Sequence, residues 1–212
     1  MTGAGLRYCL GVRKRCFDLV ISALGVVLLA PLLAAIALLV VLASGRPVFF
    51  RQERVGRARR PFRLLKFRTM MPGSEKTLAI TAKDDPRVTA VGRVLRPTKL
   101  DELPQLVNVL RGEMSIVGPR PEVPRYVARY SPEQSRVLDV RPGLTDPATI
   151  LFRDEELLLG SVSAEEREAY YEREVLPRKL ALNLEYIDRA GFGYDLVLIL
   201  RTLMAILVAP RS

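Results

Sequence analysis

The strongest pattern in the chain is an uninterrupted apolar run near its beginning. No charged residue occurs in residues 19–43, and about 20 apolar residues are enough for a helix to cross a bilayer. Pro31 lies in the middle of this run. Because proline removes a backbone donor and clashes with the preceding turn, we expect the helix to break or kink there. The run therefore predicts a membrane segment built from two helical arms.

Basic residues flank the apolar run on both sides: Arg7, Arg13, Lys14 and Arg15 precede it, and Arg46, Arg51, Arg54, Arg57, Arg59 and Arg60 follow it. Because positively charged flanks favour the cytoplasm, the pattern predicts a re-entrant hairpin that enters and leaves on one side. One kinked spanning helix is the alternative. A cleaved signal sequence is disfavoured, since its apolar region usually covers only about 7–15 residues. We assign residues 1–46 to the membrane hairpin and 47–212 to a cytoplasmic, membrane-associated domain.

The pattern of residues 47–212 predicts a small β-hairpin and short helices. Residues 48–50 and 62–67 have strand composition and are separated by Gly56 and a basic cluster. Helical spacing returns at Leu103, Leu106 and Leu110, and Gly112 stands where a helix C-cap is expected. Proline-rich loops follow.

Two further stretches towards the end of the chain have helical patterns. Residues 164–190 predict a charged helix interrupted near Pro177, and residues 196–208 are apolar but too short to span a bilayer. This last stretch either lies in the membrane interface or packs as a core helix. The expected fold class is α+β and mostly α-helical, with a small sheet and amphipathic interfacial helices.

The amino-acid composition limits which partners and which types of catalysis the protein can have. The formal charge of +10 predicts an anionic partner, such as nucleic acid, a membrane surface or a phosphorylated substrate. The chain has no histidine, which excludes Ser/His and Cys/His nucleophile pairs and a histidine general base. Carboxylates must therefore supply most of any acid, base or nucleophile chemistry.

Asp101 and Glu102 are the candidate reactive carboxylates. Pro104 is tolerated only in the first turn of a helix, so both acids are predicted at a helix start, where free N–H groups and the dipole attract phosphate. On spacing alone, a purely structural role is favoured over a catalytic one, because first-turn acids commonly complement the helix dipole.

A series of ordered motifs runs through the chain: residues 66–70 (KFRTM), 84–89 (DDPRVT), 92–96 (GRVLR), 100–110 (LDELPQLVNVL), 114–121 (MSIVGPRP) and 141–145 (RPGLT). This series closely resembles the bacterial sugar transferase family, the monotopic phosphoglycosyl transferases, from about Lys14 to the end of the chain. The family also has a membrane hairpin broken at a proline, which Pro31 matches.

The resemblance implies a reaction. Family members transfer a sugar phosphate from a nucleotide diphosphate sugar, usually a UDP-sugar, to polyprenyl phosphate at the cytoplasmic face of the bacterial inner membrane. Carried over, Asp101 is the nucleophile that forms a covalent sugar-phosphate enzyme, and Glu102 is the acid associated with Mg²⁺. The implied phosphate-binding residues are basic: Lys66, Arg68, Arg96, Arg120, Arg141 and Arg153.

The chain departs from the family pattern at three places. Ala30 stands where the family often has serine, Asn183 stands where many members have aspartate, and Asp146 stands where many have glycine. These departures leave the sugar open, and the sequence leaves open whether the protein forms a homodimer. The alternative function, a membrane-tethered module that binds anionic lipid or nucleic acid, rests on the basic cluster in residues 51–63. We expect membrane lipids as partners and no nucleic acid, because no nucleic-acid motif is recognisable.

Overall fold

The computed structural model describes residues 3–74, 85–153 and 155–207. It is 61% helical, with two small sheets. The helices are α1 (Ala4–Leu10), α2 (Val12–Ser44), α3 (Ala90–Leu95), α4 (Gln105–Arg111), α5 (Pro124–Val127), α6 (Pro147–Leu151), α7 (Glu155–Gly160), α8 (Arg167–Tyr170), α9 (Leu176–Arg189) and α10 (Phe192–Leu207). The strands are β1 (Phe49–Val55), β2 (Pro61–Phe67), β3 (Ser115–Val117) and β4 (Gly143–Thr145).

The long helix α2 packs on the rest of the protein along one face. Most of its buried and half-buried positions recur every three or four residues, at the spacing of one helix stripe: Lys14, Asp18, Ser22, Gly25, Val26, Leu29, Leu33, Ile36, Ala37, Val40 and Ser44. The opposite face is apolar and exposed, with Leu28 75% and Leu42 73% accessible. The helix therefore lies along the domain and keeps an apolar face free.

The predicted separation into two helical arms at Pro31 is not confirmed. Pro31 lies inside the single helix α2, on its exposed face. Proline removes one internal hydrogen bond, but the stripe that packs on the domain continues on both sides of it, from Leu29 to Leu33 and beyond. These contacts hold both halves of the helix against the same surface. The re-entrant course through a membrane stays a prediction.

The predicted β-hairpin and the predicted helix after the acid pair are confirmed. Strands β1 and β2 pair antiparallel from Phe49 opposite Phe67 to Val55 opposite Pro61. Helix α4 ends at Gly112, whose φ of 82° is the left-handed conformation that glycine adopts readily at a helix C-cap.

A second sheet, which the sequence did not predict, joins distant parts of the chain. Strands β3 and β4 pair in parallel, with Ser115 opposite Gly143 and Val117 opposite Thr145. Gly118, the residue after β3, lies very close to Gly143 at the start of β4: a Cβ built on Gly143 would lie 2.2 Å from the Gly118 nitrogen. This contact fixes the loop that follows β3.

The later helices differ from the prediction in their boundaries. Residues 164–166 are a turn, and the charged helix is divided into α8, a π-helical turn over Tyr171–Val175, and α9. Pro177 lies in the first turn of α9, so the interruption precedes it. The apolar stretch forms α10, which begins at Phe192 rather than at residue 196.

A buried ionic cluster fastens the first and last helices together. Lys14 Nζ lies 3.2 Å from Asp18 Oδ1 and 2.7 Å from Asp195 Oδ2. The hydroxyls of Tyr8 and Tyr186 donate to the two Asp195 oxygens at 2.9 and 2.8 Å. Because a buried carboxylate must be paired, these contacts tie α1, α2, α9 and α10 into one unit.

Candidate active site

The two predicted acids lie in a 3₁₀ turn, Leu100–Glu102, directly before α4. Asp101 is 6% exposed and Glu102 is 7% exposed. Lys99, which precedes the turn, has a φ of 54°. The left-handed backbone conformation costs a lysine about 1–2 kcal/mol, and backbone strain of this kind concentrates at functional sites. The predicted location at a helix start is confirmed.

Glu102 is held by four donors. Its Oε1 lies 2.9 Å from Lys66 Nζ and accepts from Arg120 Nη2 at 2.7 Å. Its Oε2 accepts from Gln105 Nε2 at 3.2 Å and from Arg120 Nη1 at 3.3 Å. Burial opposes ionisation of Glu102, but Arg120 and Lys66 outweigh it and hold its pKa well below the usual range. Glu102 therefore stays charged and fixes two cations at the site.

Asp101 has a different environment. Its Oδ1 is buried and has no hydrogen-bond partner among the residues that the structure describes. Burial raises the pKa of Asp101 to about 6, against the lowering effect of Lys66. At pH 7 such a carboxylate is still mostly ionised, and one of its oxygens lacks the solvation that would stabilise it. These are the properties of an available nucleophile.

Arg120 is positioned by the loop that follows β3. The backbone oxygen of the neighbouring Pro121 accepts from Arg54 Nη1 at 2.8 Å. The backbone oxygen of Glu122 accepts from the backbone nitrogen of Val55 at 3.0 Å. The Tyr171 hydroxyl donates to the Glu122 carboxylate at 2.7 Å. Strand β1 and the π-helical turn thus hold the segment from which the Arg120 guanidinium reaches Glu102.

Two of the predicted phosphate ligands have other contacts. Arg68 Nη2 donates to the backbone oxygens of Ser44 and Gly45 at 2.7 and 2.6 Å, at the end of α2. Arg141 Nε donates to the Gly112 oxygen at 3.0 Å. Gly112 follows Glu102 by ten residues, most of them in α4, and a helical rise of about 1.5 Å per residue places the two residues roughly 15 Å apart. The structure does not bring either arginine to the acid pair.

Arg96 and Arg153 have different positions. Arg96 is the C-cap of α3 and is one of the charges that lower the pKa of Asp101, so it belongs to the site's electrostatic surroundings. Arg153 lies in the turn after α6, and no described contact places it at the acid pair. Asp84, the first residue of the motif at 84–89, lies outside the described residues.

Asp146 and Asn183, two of the residues that depart from the family pattern, have buried side chains. Asp146 caps α6: its Oδ1 accepts from the Thr149 nitrogen at 2.5 Å, and burial raises its pKa. Asn183 is 2% exposed, and its Oδ1 has no partner in the described parts of the chain. Asp146 therefore has a structural role, and its charge also acts on Arg120.

Gln105 was missed as a site residue. It is 1% exposed and donates to Glu102 Oε2. A signal was available in the sequence, since Glu102, Gln105 and Asn108 recur every three residues on the face that the helix buries. Three polar residues in a row on a buried helix face indicate a hydrogen-bond network.

The acid pair is the candidate place for Mg²⁺. Within residues 3–74, 85–153 and 155–207, no group of three or more His, Cys, Asp or Glu side chains could hold a metal by itself. Mg²⁺ usually binds one or two carboxylates together with substrate phosphates and water. The unpartnered Asp101 Oδ1 beside ionised Glu102 fits such a site, whereas both Glu102 oxygens are already occupied by cationic and amide donors.

Comparison with known proteins decides the family. Residues 10–209 match the bacterial sugar transferase family. The chain belongs to that family. The residues of this sugar transferase that carried the resemblance include Asp101, Glu102, Lys66 and Arg120, which the structure brings together.

Three relatives illustrate the range of the family. A UDP-glucose:undecaprenyl-phosphate glucose-1-phosphate transferase of Caulobacter vibrioides is 39% identical over 97% of this chain and 74% of that protein. The exopolysaccharide production protein ExoY of Sinorhizobium fredii is 35% identical over 100% of this chain and 92% of its own length. A UDP-N-acetylgalactosamine-undecaprenyl-phosphate N-acetylgalactosaminephosphotransferase of Aeromonas hydrophila is 43% identical over 65% of this chain and 34% of that protein.

Proposed function

We propose that this sugar transferase moves a sugar 1-phosphate from a UDP-sugar to undecaprenyl phosphate and releases UMP, as the first membrane step of exopolysaccharide or glycoconjugate assembly. The names of two relatives support both substrates, and the name of the third supports a role in exopolysaccharide production. The observation that carries the mechanism is the buried Oδ1 of Asp101, which has no hydrogen-bond partner among the described residues and lies next to the cations that Glu102 holds.

In the first step, an Asp101 oxygen attacks the phosphorus atom that bears the sugar. The bond from this phosphorus to the bridging oxygen breaks, and its electron pair leaves with UMP. The product is an acyl phosphate between Asp101 and the sugar. Lys66 and Arg120 lie where they can stabilise the charge on the phosphate oxygens, because both side chains are fixed on Glu102.

In the second step, a phosphate oxygen of the lipid attacks the same phosphorus. The bond to Asp101 breaks, the carboxylate is restored, and the sugar diphosphate lipid leaves. Mg²⁺, held by Asp101 beside Glu102 together with the substrate phosphates, would supply further neutralisation of negative charge. The chain's own residues supply the nucleophile and the fixed cations.

We place the protein on the cytoplasmic face of the inner membrane. Helix α2 is long and apolar enough to cross a bilayer, and only 11% of its most apolar stretch is buried, which is unlike a core helix. Yet both of its ends contact the same domain: Arg15 donates to the Val109 and Leu110 oxygens, and Arg68 donates to Ser44. A helix fastened at both ends to one polar domain favours entry from one side.

The reaction is tested with purified protein, Mg²⁺, undecaprenyl phosphate and a panel of UDP-sugars, by following UMP release. Without the lipid, we expect one UMP per enzyme and a mass increase equal to one sugar phosphate on Asp101. Asp101→Asn should abolish both. Undiminished turnover by this variant would rule out the covalent mechanism.

The topology is tested by cysteine labelling in intact cells and inverted vesicles. Gly3 and Arg60 are suitable positions, since a Cβ at Gly3 meets nothing within 4 Å and Arg60 is exposed. Exposed Cys16 is first replaced by serine, and buried Cys9 is retained. Both new cysteines should react only from the cytoplasmic side. Labelling of one of them only from outside would show that α2 spans the membrane.

A further inference from the structure

The side chain of Asn108 joins the helix after the acid pair to the strand that carries Lys66. Asn108 lies on α4 and is 0% exposed. Its Oδ1 accepts from the Leu65 nitrogen at 3.0 Å, and its Nδ2 donates to the Arg63 oxygen at 2.8 Å. Nδ2 also donates to Glu113 Oε2 at 2.6 Å. All the hydrogen-bonding atoms of the buried amide are therefore used, two of these contacts being to β2.

These contacts satisfy an open strand edge. Strand β2 pairs only with β1 in a two-stranded sheet, and residues two apart on a strand direct their backbone groups to the same side. Arg63 and Leu65 thus present their free groups on the side away from β1. The amide of Asn108 meets an N–H and a C=O there, as one residue of a third strand would. Asn108 thereby fixes β2 against α4 in position and register.

The two elements fixed in this way carry the groups that must meet at the site. Lys66 follows Leu65 directly, and its Nζ contacts Glu102 at 2.9 Å. Glu102 lies six residues before Asn108 and is linked to the same helix through Gln105. An error of about 1 Å in the placement of a catalytic group can cost a hundredfold in rate, so the attachment of β2 to α4 bears on the chemistry.

We infer that Asn108 is a positioning residue that holds Lys66 at the acid pair by supplying the missing neighbour of strand β2. The inference rests on the proposed function, in which Lys66 stabilises the transferring phosphate. Asn108 itself does not touch the substrate. The bond to Glu113 is separate from this role, because Glu113 lies in the loop after α4 and not on β2.

The first test measures the exchange rate of the Leu65 amide hydrogen, without turnover. Asn108→Ala removes its acceptor, so exchange should accelerate by about tenfold or more. Val109→Ala is the matched control: Val109 is 0% exposed on the same helix, and its side chain makes no hydrogen bond to β2. Glu113→Gln is a second control, since its amide oxygen can still accept from Asn108. Equal acceleration in Asn108→Ala and Val109→Ala would overturn the positioning role.

The second test is a double-mutant cycle on kcat with Lys66→Met. If Asn108 acts through Lys66, Asn108→Ala should lower kcat by about tenfold in the wild-type background, with a smaller change in KM. In the Lys66→Met background it should lower kcat by less than about twofold, because coupled residues are not additive. Val109→Ala, which should lower the melting temperature without removing a hydrogen bond to β2, should leave kcat within about twofold of wild type.

The outcomes separate the two proposals. The same loss of kcat in both backgrounds would overturn the role of Asn108 while leaving the transferase reaction intact. If wild-type protein releases no UMP with any UDP-sugar, the proposed function fails. The Leu65 exchange rate still decides in that case whether Asn108 holds the strand.

Discussion

The two ends of α4 both attract arginine side chains, but for different physical reasons. At the end that begins with the acid turn, Arg120 and Lys66 are held by the Glu102 carboxylate. At the other end, Arg15 and Arg141 donate to the backbone oxygens of Val109, Leu110 and Gly112. Cations at a helix C-terminus satisfy free carbonyls and complement the dipole. The same residue type thus pairs with a carboxylate of the candidate site at one end and caps the helix at the other.

Among the changes that test this comparison of the two helix ends, the largest effect is expected from Glu102→Gln, which removes the charge that holds both cations. Loss of one fixed charge stabiliser typically costs about 10²–10³ in kcat, and we expect a loss in this range. Thermal unfolding should also occur at a lower temperature, since Lys66 and Arg120 lose their shared partner. Glu113→Gln serves as the control. A variant with normal kcat would show that the cations need no carboxylate to reach the phosphate.

The pH dependence of kcat should follow the ionisation of Asp101. Burial raises its pKa to about 6, so kcat should fall about tenfold for each unit below pH 6 as the nucleophile is protonated. The free energy of unfolding should change with pH in the opposite direction. Because the pKa of Asp101 is higher in the folded state than in the unfolded state, the stabilising contribution of this carboxyl group is present below about pH 4 and is lost as the pH rises through 6. Single-turnover UMP release between pH 5 and 8 measures the first effect. A flat profile down to pH 5 would contradict it.

At the opposite end of α4, Arg15→Met should affect stability and leave the chemistry unchanged. Two hydrogen bonds to helix carbonyls are lost, at a cost of about 1–2 kcal/mol in the free energy of unfolding. UMP release at saturating substrate should stay within about twofold of wild type. Chemical denaturation in detergent and the activity assay check both statements. A large loss of kcat with unchanged stability would place this end of the helix in the reaction.

The smallest effect is expected from Arg141→Lys. A lysine can still donate to the Gly112 oxygen, so the loss of stability should be below about 1 kcal/mol. The kcat/KM for the UDP-sugar should change by less than about threefold, because a helix-capping role needs no bidentate geometry. A loss above about tenfold in kcat/KM would mean that Arg141 binds phosphate, as the sequence suggested.

The sequence predicted the features that depend on neighbours along the chain. Gly112 as a C-cap, the acids at a helix start, and the hairpin over β1 and β2 follow from local turn and helix chemistry. The family motif identified Glu102 as an acid of the site but did not indicate that Lys66 and Arg120 both contact it.

What the sequence did not predict depends on contacts between distant segments. The parallel pair β3 and β4 joins three-residue strands separated by 25 residues of other structure, too short for a periodic pattern. The family resemblance grouped Arg120 with Arg141 among the implied phosphate-binding residues. Only the packing of α4 separates them, by directing one towards a carboxylate and the other towards a carbonyl.

The packed face of α2 has a practical consequence for protein production. Removing the first 46 residues would leave Phe67 and Leu95 without the Ile36 and Val40 side chains that cover them. It would also leave Asp195 buried without its lysine. The packed face of α2 is therefore needed to cover the core of the domain, and shortening the gene to obtain a detergent-free enzyme should yield aggregated protein.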